Sequence, residues 1–315
     1  MLIGISGPIR SGKSTVAEYL VTTHGFTHLY LHKKPGTTAT DAVGKDNVFD
    51  TAAALRDYVT KHWQTHFVLT QISDPATLEL LQQRPFFLHI TVDAPVRIRY
   101  LRYQETTAAT ADFADFVMHS DAQLFSPDYL AVTSRAALRV VNAVNSLSDL
   151  HIKLAALNLL DPDRLRPSWD AYFMRLADLA SLRANCMKRQ VGCVVVRDKR
   201  VIATGYNGTP RGLTNCNAGG CARCNDTGGL LETCLCLHAE ENALLEAGRD
   251  RIRGGCVLYC NTCPCLTCSV KIVQVGIAEV VYLNPYSMDT ASRTVLEDGG
   301  VKLRQFVPPT EGLVV

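Results

Sequence analysis

Two short segments, His238-Ala239-Glu240 and Pro264-Cys265-Leu266-Thr267-Cys268, constrain this chain more than any other feature. Histidine and cysteine are zinc ligands, and one metal can bind all three side chains only if the fold brings the two segments together. Three protein ligands leave the fourth position of a tetrahedral zinc for water, which is the arrangement of catalytic sites. We therefore expect the chain to fold around one metal, with Glu240 two residues from the first ligand.

The sequence around these ligands predicts two helices. An apolar-periodic run over 239–247 predicts a helix that begins beside His238. Pro264 suits the first turn of a second helix, predicted over 264–275, because its missing N–H would have no partner there. Cys265 and Cys268 share a face of that helix, and the positive end of the helix dipole favours thiolates. The alternative, a capping histidine with two packing cysteines, does not account for the joint occurrence of H-x-E, the proline and an intervening strand-like run.

The order H-x-E followed by P-C-x-x-C resembles the signature of zinc-dependent nucleobase deaminases. In that chemistry zinc lowers the pKa of water from about 15.7 to about 7, so that water can attack C4 of cytosine at neutral pH. The resemblance implies that His238, Cys265 and Cys268 hold a catalytic Zn²⁺ and that Glu240 is the proton shuttle.

Composition indicates a globular chain of about two domains, since it has 315 residues, 47% of them hydrophobic and 20% charged. The net charge of +2 argues against nucleic acid as a partner. No long apolar run or signal peptide is recognisable, so we expect a cytoplasmic protein that does not enter the membrane. All 12 cysteines lie at or beyond Cys186, where clustered cysteines indicate metal ligands before disulfides.

Residues 1–160 predict a P-loop, kinase-like parallel α/β domain. A strand over 2–6 is followed by Gly7–Ser14, which has the pattern G-x-x-x-x-G-K-S, and then by a helix. The loop with Gly7 and Gly12 would cradle phosphates, Lys13 would reach the β- and γ-phosphates, and Ser14 would hold Mg²⁺. The sequence has no clear acidic residue at the end of the predicted strand 67–70 to hold Mg²⁺ through water, and Asp74 is the nearest candidate. Nucleotide binding is therefore predicted more strongly than phosphotransfer. A scaffold that has kept only the kinase-like fold is the alternative.

Strands and helices alternate through this half, as is typical of a parallel sheet. The predicted strands cover 67–70 and 86–92, and the predicted helices cover 48–61, 75–83 and 95–104. The apolar-periodic stretch 134–160 predicts one closing helix, and two prolines predict a linker over 161–167. The arginines at 97, 99 and 102 are predicted to lie on a solvated helix face. The alternative, from a resemblance to small P-loop kinases, is that they face a phosphate.

Residues 168–315 predict a second α/β domain with a five-stranded mixed sheet, in the order α-β-β-α-β-α-β-α-β. Helices are expected over 169–183, 239–247, 264–275 and 289–298, and strands over 191–197, 201–206, 257–260, 278–283 and 301–306. Asp198-Lys199-Arg200 predicts a hairpin between the first two strands.

Residues 168–306 resemble the deoxycytidylate (dCMP) deaminases, and a P-loop-like domain ahead of them resembles the fungal form. The resemblance is carried by the zinc motifs and by Trp169-x-x-Tyr172-Phe173-Met174, Arg183-x-Asn185-Cys186-x-Lys188-Arg189-x-Val191-Gly192 and Gly205-Tyr206-Asn207-Gly208-Thr209-Pro210. It implies a cytidine-deaminase-like α/β/α sandwich and hydrolysis of dCMP to dUMP and ammonia, which supplies thymidylate synthesis. It also implies a homo-oligomer, a hexamer, activated by dCTP and inhibited by dTTP, with Mg²⁺ accompanying these nucleotides.

The resemblance further implies substrate contacts. Asn207 would hold the nucleotide sugar, Tyr286 would line the nucleotide pocket, and Arg183 or Arg189 would meet the 5′-phosphate. The alternatives are a turn-forming Asn-Gly pair, a half-buried aromatic ring and ordinary surface charges.

A second zinc is predicted among the remaining clustered cysteines, because a closed four-ligand site would order a loop that has little else to fold it. Some relatives carry a second zinc at positions matching Cys186 and Cys216, and we favour Cys186, Cys216, Cys221 and Cys234 as the set, with Cys224 and Cys236 as substitutes. Reduced thiols without metal are the alternative. The cysteines expected to pack in the core are Cys193, Cys256, Cys260 and Cys263.

Two other functions fit parts of the sequence. The complete Gly7–Ser14 motif favours a nucleotide kinase whose deaminase domain is regulatory. The zinc motif alone also fits a deaminase of another cytosine or adenine substrate, including tRNA, although a tRNA enzyme would need a basic surface that the balanced charge does not predict.

Overall fold

A computed structural model describes residues 1–31, 47–106, 112–144, 146–225, 234–285 and 290–314. The chain divides into two compact units. The first contains Met1–Arg166 together with the residues from Pro309 onward, and the second contains Pro167–Pro308. No helix within the described ranges is both long and apolar enough to cross a membrane.

The first unit is built on a parallel sheet. Its strands are β1 (Leu2–Ser6), β2 (Thr27–Leu31), β3 (Val48–Phe49), β4 (Phe67–Leu69), β5 (Phe87–Asp93), β6 (Leu138–Val141) and, from the end of the chain, β12 (Gly312–Val314). Its helices are α1 (Lys13–His24), α2 (Ala52–Lys61), α3 (Pro75–Gln82), α4 (Val96–Thr106), α5 (Phe113–Leu124), α6 (Pro127–Thr133) and α7 (Leu147–Leu157). Within the described residues the sheet has seven strands in the order β12-β6-β5-β1-β4-β2-β3.

The parallel sheet confirms the alternating pattern of the sequence, with β1, β4 and β5 near their predicted bounds. The single helix predicted over 134–160 is wrong. Leu138–Val141 pairs with β5, and Ser146 begins a separate helix by accepting a hydrogen bond from the Asp149 N–H. Apolar periodicity did not separate these elements, because strand pairing depends on partners distant in sequence.

The predicted boundary between domains also needs correction at both ends. Residues 161–167 are not an open linker, since Asp161 caps a short 3₁₀ helix at Pro162–Arg164 and the Arg164 guanidinium donates to the carbonyls of Asn158 and Thr310. The last residues do not belong to the second unit, because β12 pairs with β6 in the first.

The second unit follows the predicted order of helices and strands. Its elements are α8 (Trp169–Ser181), β7 (Gly192–Arg197), β8 (Arg200–Tyr206), α9 (Ala222–Asn225), α10 (Ala239–Ala247), β9 (Val257–Thr262), α11 (Leu266–Val275), β10 (Glu279–Asn284), α12 (Thr290–Asp298) and β11 (Lys302–Gln305). The five strands lie in the order β11-β10-β9-β7-β8, parallel except at β7, which is antiparallel to both β8 and β9. The mixed five-stranded sheet is therefore confirmed.

Alternating side chains of the sheet serve two cores. Cys193 and Val195 pack with residues of α10, α11 and α12, whereas Val194 and Val196 pack with α8. Gly205 allows α10 to approach β8 closely, because a Cβ there would lie 2.2 Å from the Ala239 carbonyl oxygen and 2.4 Å from the Ala243 nitrogen. This contact places the first turn of α10, with Glu240, directly on the sheet.

Candidate metal centre and its cavity

The three predicted ligands of the first metal converge at the beginnings of two helices. His238 is the residue before α10, and Cys265 is the residue before α11, with Cys268 in its first turn. The His238 Nδ1 lies 3.3 Å from the Cys265 Sγ and 3.4 Å from the Cys268 Sγ. The helices bring together residues that lie about 30 positions apart in the chain.

These distances suit zinc. With Zn–N of about 2.0–2.1 Å and Zn–S of about 2.3 Å, tetrahedral geometry separates nitrogen from sulfur by about 3.5 Å. The three ligand atoms all lie within 4.8 Å of one another. His238 is exposed, Cys265 is half-buried and Cys268 is buried, so the group opens on one side and closes on the other.

The electrostatic environment favours a metal-binding thiolate. Hydrogen bonding from the Cys268 thiol and from His238 outweighs burial and lowers the pKa of Cys265 to about 3, while the same Cys268–Cys265 hydrogen bond raises the pKa of Cys268. Thiolate is the form of cysteine that binds metal. Cys265 and Cys268 can therefore bind a cation through at least one thiolate.

Glu240 is the one acidic side chain buried beside these ligands within the described residues. It is 4% exposed, and its carboxylate contacts the Cys268 thiol. Burial raises the pKa of the Glu240 carboxyl to about 7, because the charged form loses its hydration. A carboxyl group with such a pKa can both take up and release a proton near neutral pH.

A cavity of about 350 Å³ opens over this group. His238, Glu240 and Cys265 line it, together with Asn207 and Thr262. Its size is within the range of sites for small molecules. The predicted ligands and proton carrier therefore face one space that can hold a substrate.

Asn207 braces the chain at the edge of this cavity. Its Oδ1 accepts from the Val191 N–H at 2.9 Å, and its Nδ2 donates to the Arg189 carbonyl at 2.8 Å. The side chain is 6% exposed and lines the cavity. An amide has further donor and acceptor capacity beyond these two bonds, so bracing leaves room for a substrate contact.

The other predicted substrate residues have different outcomes. Arg183 is exposed and does not line the cavity, whereas Arg189 does. Tyr286 lies outside the described residues. Sequence reasoning missed Lys188 and Arg223, which also line the cavity. The signal available for Lys188 was its position beside Arg189 in the motif that follows Cys186.

Comparison with known proteins gives a family. The curated deoxycytidylate deaminase of Schizosaccharomyces pombe is 48% identical over 99% of this chain and 99% of its own length. That of Saccharomyces cerevisiae is 45% identical over 97% of this chain and 96% of its own length. The family model for the cytidine and deoxycytidylate deaminase zinc-binding region matches residues 167–284. The chain belongs to the cytidine and deoxycytidylate deaminase family.

A solved structure is also similar in part. The dCMP deaminase of the cyanophage S-TIM5, in complex with dCMP and dUMP, is 33% identical over 43% of this chain and 94% of that chain, with a TM-score of 0.36. The zinc-binding region of the family model includes His238, Cys265 and Cys268. Family membership and the donor set of this deaminase-family site therefore both point to Zn²⁺.

The structure groups the other cysteines of this deaminase-family chain differently from the four ligands predicted for a second metal. Cys186 and Cys216 belong to one group, with Cys224 and Cys236, and Cys221 and Cys234 belong to another, again with Cys224 and Cys236. The four favoured residues thus fall into two groups, and both substitutes are central. Ligand order along the chain does not specify which loops approach each other. Of the four predicted packing cysteines, Cys193, Cys256 and Cys260 lie in the core, and Cys263 is buried but also lines the cavity.

The glycine-rich loop of the first unit joins β1 to α1. Gly7 and Gly12 have φ angles of 150° and 103°, and the Lys13 Nζ donates to the carbonyls of Gly7 at 2.9 Å and Pro8 at 2.8 Å. Ser14 is exposed, and with Gly12 and Lys13 it lines a separate cavity of about 540 Å³.

Two predictions about polar residues of the first unit change. Asp74 accepts a hydrogen bond from the Thr77 N–H at the start of α3, which gives it a helix-capping role in place of the predicted Mg²⁺ contact. Arg99 is buried and donates to the Ala94 carbonyl and the Ser120 hydroxyl, so the expected solvated face is wrong for it.

Proposed function

We propose that the second unit hydrolyses dCMP to dUMP and ammonia, with Glu240 as the proton carrier. The observation that supports this most is a carboxyl group, Glu240, that is 4% exposed and lies beside a His-Cys-Cys group on one cavity. Zinc held by His238, Cys265 and Cys268 would supply Lewis acidity that activates water near neutral pH.

Glu240 accounts for the proton transfers that the reaction needs. As water adds to C4 of the cytosine ring, the carboxylate accepts a proton and delivers it to N3. The carboxylate then takes the second proton from the new hydroxyl group and donates it to the amino group, which leaves as ammonia. The carbonyl of uracil forms as the C4–N bond breaks, and Glu240 returns to its starting state.

Three cationic side chains support a phosphorylated substrate. Lys188, Arg189 and Arg223 line the same cavity as Glu240. Guanidinium and ammonium groups bind phosphate, and deoxycytidine or cytosine would offer them no such group. Asn207 lines the same cavity, and we expect it to contact the sugar. The predicted contact of Arg183 with the phosphate has no support from its position.

The test compares dCMP, deoxycytidine and cytosine as substrates. We expect dCMP to be preferred, and Arg189→Gln to lower kcat/KM for dCMP by roughly tenfold or more, the value of one charge-assisted contact, with little change for deoxycytidine. Arg183→Gln is the matched control, because Arg183 is an exposed arginine of the same segment outside the cavity. Preference for an unphosphorylated substrate would disprove the dCMP assignment, and an equal loss in both variants would remove Arg189 as the phosphate contact.

Regulation and assembly are part of the same proposal and rest on family membership alone. We expect dCTP with Mg²⁺ to raise the initial rate of dUMP formation, dTTP to lower it, and the protein to be a homo-hexamer. Rates with each nucleotide, and mass by light scattering, test these points. Rates independent of both nucleotides would remove the regulation.

A second candidate function concerns nucleotide binding by the first unit. The Gly7–Ser14 loop is followed by a helix. The cavity beside this loop is lined by Lys13, Ser14 and Arg102. The buried Ser11 hydroxyl in this loop has no hydrogen-bond partner among the described residues. These features favour a bound phosphate over a scaffold that only resembles a kinase.

Titration calorimetry with Mg·ATP tests this second candidate. We expect binding by the parent protein, at least tenfold weaker binding by Lys13→Ala because the lysine contact to phosphate is lost, and unchanged binding by Lys61→Ala, an exposed lysine of α2. An absence of binding by the parent would favour the scaffold. Transfer of phosphate to a nucleotide acceptor would restore the kinase interpretation.

A further inference from the structure

Six cysteines of the second unit form a cluster outside the His238 group. Their thiols fall into two sets of four, each with all sulfur atoms within 4.8 Å of one another. One set is completed by Cys186 and Cys216, the other is completed by Cys221 and Cys234, and both contain Cys224 and Cys236. Two tetrahedra that share one edge have this pattern.

The sulfur–sulfur distances fit zinc tetrahedra. Two sulfurs bound to one zinc at about 2.3 Å lie about 3.8 Å apart. The observed separations are 3.8 Å for Cys186–Cys224, 3.7 Å for Cys221–Cys234 and 3.4 Å for Cys224–Cys234. The two shared sulfurs, of Cys224 and Cys236, are 3.9 Å apart. The two shared sulfurs are therefore about as far apart as two sulfurs bound to one zinc.

One metal ion does not account for this arrangement. A tetrahedral zinc has four ligands. One ion in either set would therefore leave two of the six thiols at metal-ligand distance without a metal. We propose that these six cysteines bind two zinc ions, with Cys224 and Cys236 as bridging thiolates and the other four as terminal ligands. This proposal stands on the cluster alone and does not depend on dCMP hydrolysis.

Backbone N–H groups point at three of the four terminal sulfurs, those of Cys186, Cys216 and Cys221. The Met187 N–H donates to the Cys216 sulfur at 3.4 Å. N–H groups of Lys188 and Arg189 face the Cys186 sulfur, and those of Leu235 and Cys224 face the Cys221 sulfur. These donors stabilise negative charge on sulfur that a free thiol would not carry.

Charge balances in the same place. Six thiols that bind two Zn²⁺ release six protons and leave a net charge of about −2 on the cluster. The cationic side chains of Lys188, Arg189 and Arg223 lie in the cavity lining together with Cys186, Cys224 and Cys236. The cluster would therefore hold the segment that carries these cations and would offset part of their mutual repulsion.

The cluster also adjoins the first metal centre along the chain. Cys236 is two residues before His238, and Leu237 between them pairs with Gly208 through hydrogen bonds of 3.2 and 2.8 Å. Gly208 is required there, because a Cβ would lie 2.4 Å from the Asn185 Oδ1, which accepts from the Thr209 N–H at 3.1 Å. Two zinc ions would order this region through metal binding, since it has few apolar side chains.

The experiment is a metal count on the intact protein by native mass spectrometry and elemental analysis. The parent should contain about three zinc ions per chain, two in the cluster and one at His238, since each complete set holds one. Cys186→Ser with Cys216→Ser should leave about two, and Cys221→Ser with Cys234→Ser should also leave about two, because each keeps one complete set. Cys224→Ser with Cys236→Ser should leave about one. Cys256→Ala, a buried cysteine outside the cluster, is the control and should retain all three.

A single zinc gives a different pattern: about two per chain in the parent, and loss from one terminal pair but not from the other. That result would overturn the proposal. So would bound iron in place of zinc, or a mass lower by two hydrogens per cysteine pair with no cluster metal, which would mean disulfides. If the variants do not fold, ¹¹³Cd-substituted parent protein decides, because coupling between two cadmium signals requires a shared sulfur and its absence disproves the bridge.

Discussion

Two groups of side chains that could bind metal line parts of one cavity, and they differ in the number of ligands and in their neighbours. The His238 group has three ligand atoms, an exposed histidine and a buried carboxyl beside it. The cysteine cluster has two complete sets of four sulfurs, and its partners are backbone N–H groups. The ligand lists alone would describe both as cysteine-rich zinc sites.

The difference shows what each group can do. A zinc with four protein ligands has no position for water, so its binding free energy stabilises the fold. A zinc with three keeps one position open, and the buried Glu240 carboxyl lies beside the three ligands. The shared cavity joins the two, because the segment after Cys186 carries cations toward the space in front of Glu240.

The largest expected effect is that of Cys268→Ala. Removing this buried ligand should empty the three-ligand site and abolish deamination, because two remaining ligands cannot hold zinc tightly. Metal content and dUMP formation measure both. Cys256→Ala should keep zinc and most activity, since Cys256 packs in the core of the same unit. Full zinc content in Cys268→Ala would mean that the ligands have been assigned wrongly.

Glu240→Gln should separate metal binding from proton transfer. The ligands are untouched, so zinc content should equal that of the parent, while kcat should fall roughly 10²–10⁴-fold because the carboxyl no longer carries protons. Stopped assays with dCMP give kcat. A kcat within about tenfold of the parent value would show that another group transfers the protons. The two metal groups would then no longer differ by a proton carrier at Glu240.

Asn207→Ala tests the role of a residue in the cavity that both metal groups help to line. The change leaves the Val191 N–H and the Arg189 carbonyl without their present partners, and a buried group without a partner costs about 1–3 kcal/mol, or roughly tenfold or more in kcat/KM. If Asn207 contacts the sugar, dCMP and deoxycytidine should lose equally. A loss for dCMP alone would limit Asn207 to positioning Arg189. Asn217→Ala, at an exposed asparagine near Cys216, is the control.

The smallest expected effect lies away from both metal groups. Burial would raise the pKa of Asp170, but hydrogen bonds from Arg304 and Tyr259 outweigh it and hold the pKa below its usual value. A carboxyl with a depressed pKa stabilises the fold above its unfolded-state pKa of about 3.9, and this stabilisation is lost as pH falls through the folded-state pKa. Arg304→Gln should therefore cost roughly 0.5–1 kcal/mol at neutral pH, since the pair is partly exposed.

Urea unfolding of the parent and of Arg304→Gln at several pH values measures this effect. The difference in unfolding free energy should shrink below about pH 4 as Asp170 becomes protonated in both proteins. A difference that is constant with pH would mean that Arg304 acts through packing and not through its carboxylate partners, Asp170 and Glu279. Zinc content and KM for dCMP should not change, which distinguishes general stability from effects on either metal group.

Local patterns predicted much of the second unit because its elements have local signals. The helix at Ala239–Ala247 has its predicted bounds, and the hairpin at 198–200 forms with positive φ at Asp198 and Lys199. The apolar run over 191–197 predicted a strand, and Gly192–Arg197 forms one, with Val195 packing in one core and Val194 in the other. The spacing of apolar residues and the residue types of a turn are properties of neighbouring residues, so the sequence alone can predict them.

Longer-range features were predicted less well. The stretch 134–160 has enough apolar residues for one helix, but the pairing of Leu138–Val141 with β5 decides that a strand forms there. The strand at Gly312–Val314 joins the first unit for the same reason. Hydrogen bonding to a distant strand adds a contribution that no local pattern contains.

The sequence by itself determined which residues could hold the first metal, because H-x-E supplies one ligand beside a helix start and P-C-x-x-C supplies two within one helical turn. Only the tertiary structure decided how the other cysteines group, which arginine faces the cavity, and that Glu240 is buried beside the ligands. The physical reason is that ligand spacing within a turn is set by backbone geometry, whereas the approach of separate loops and the loss of hydration depend on the packing of the whole unit.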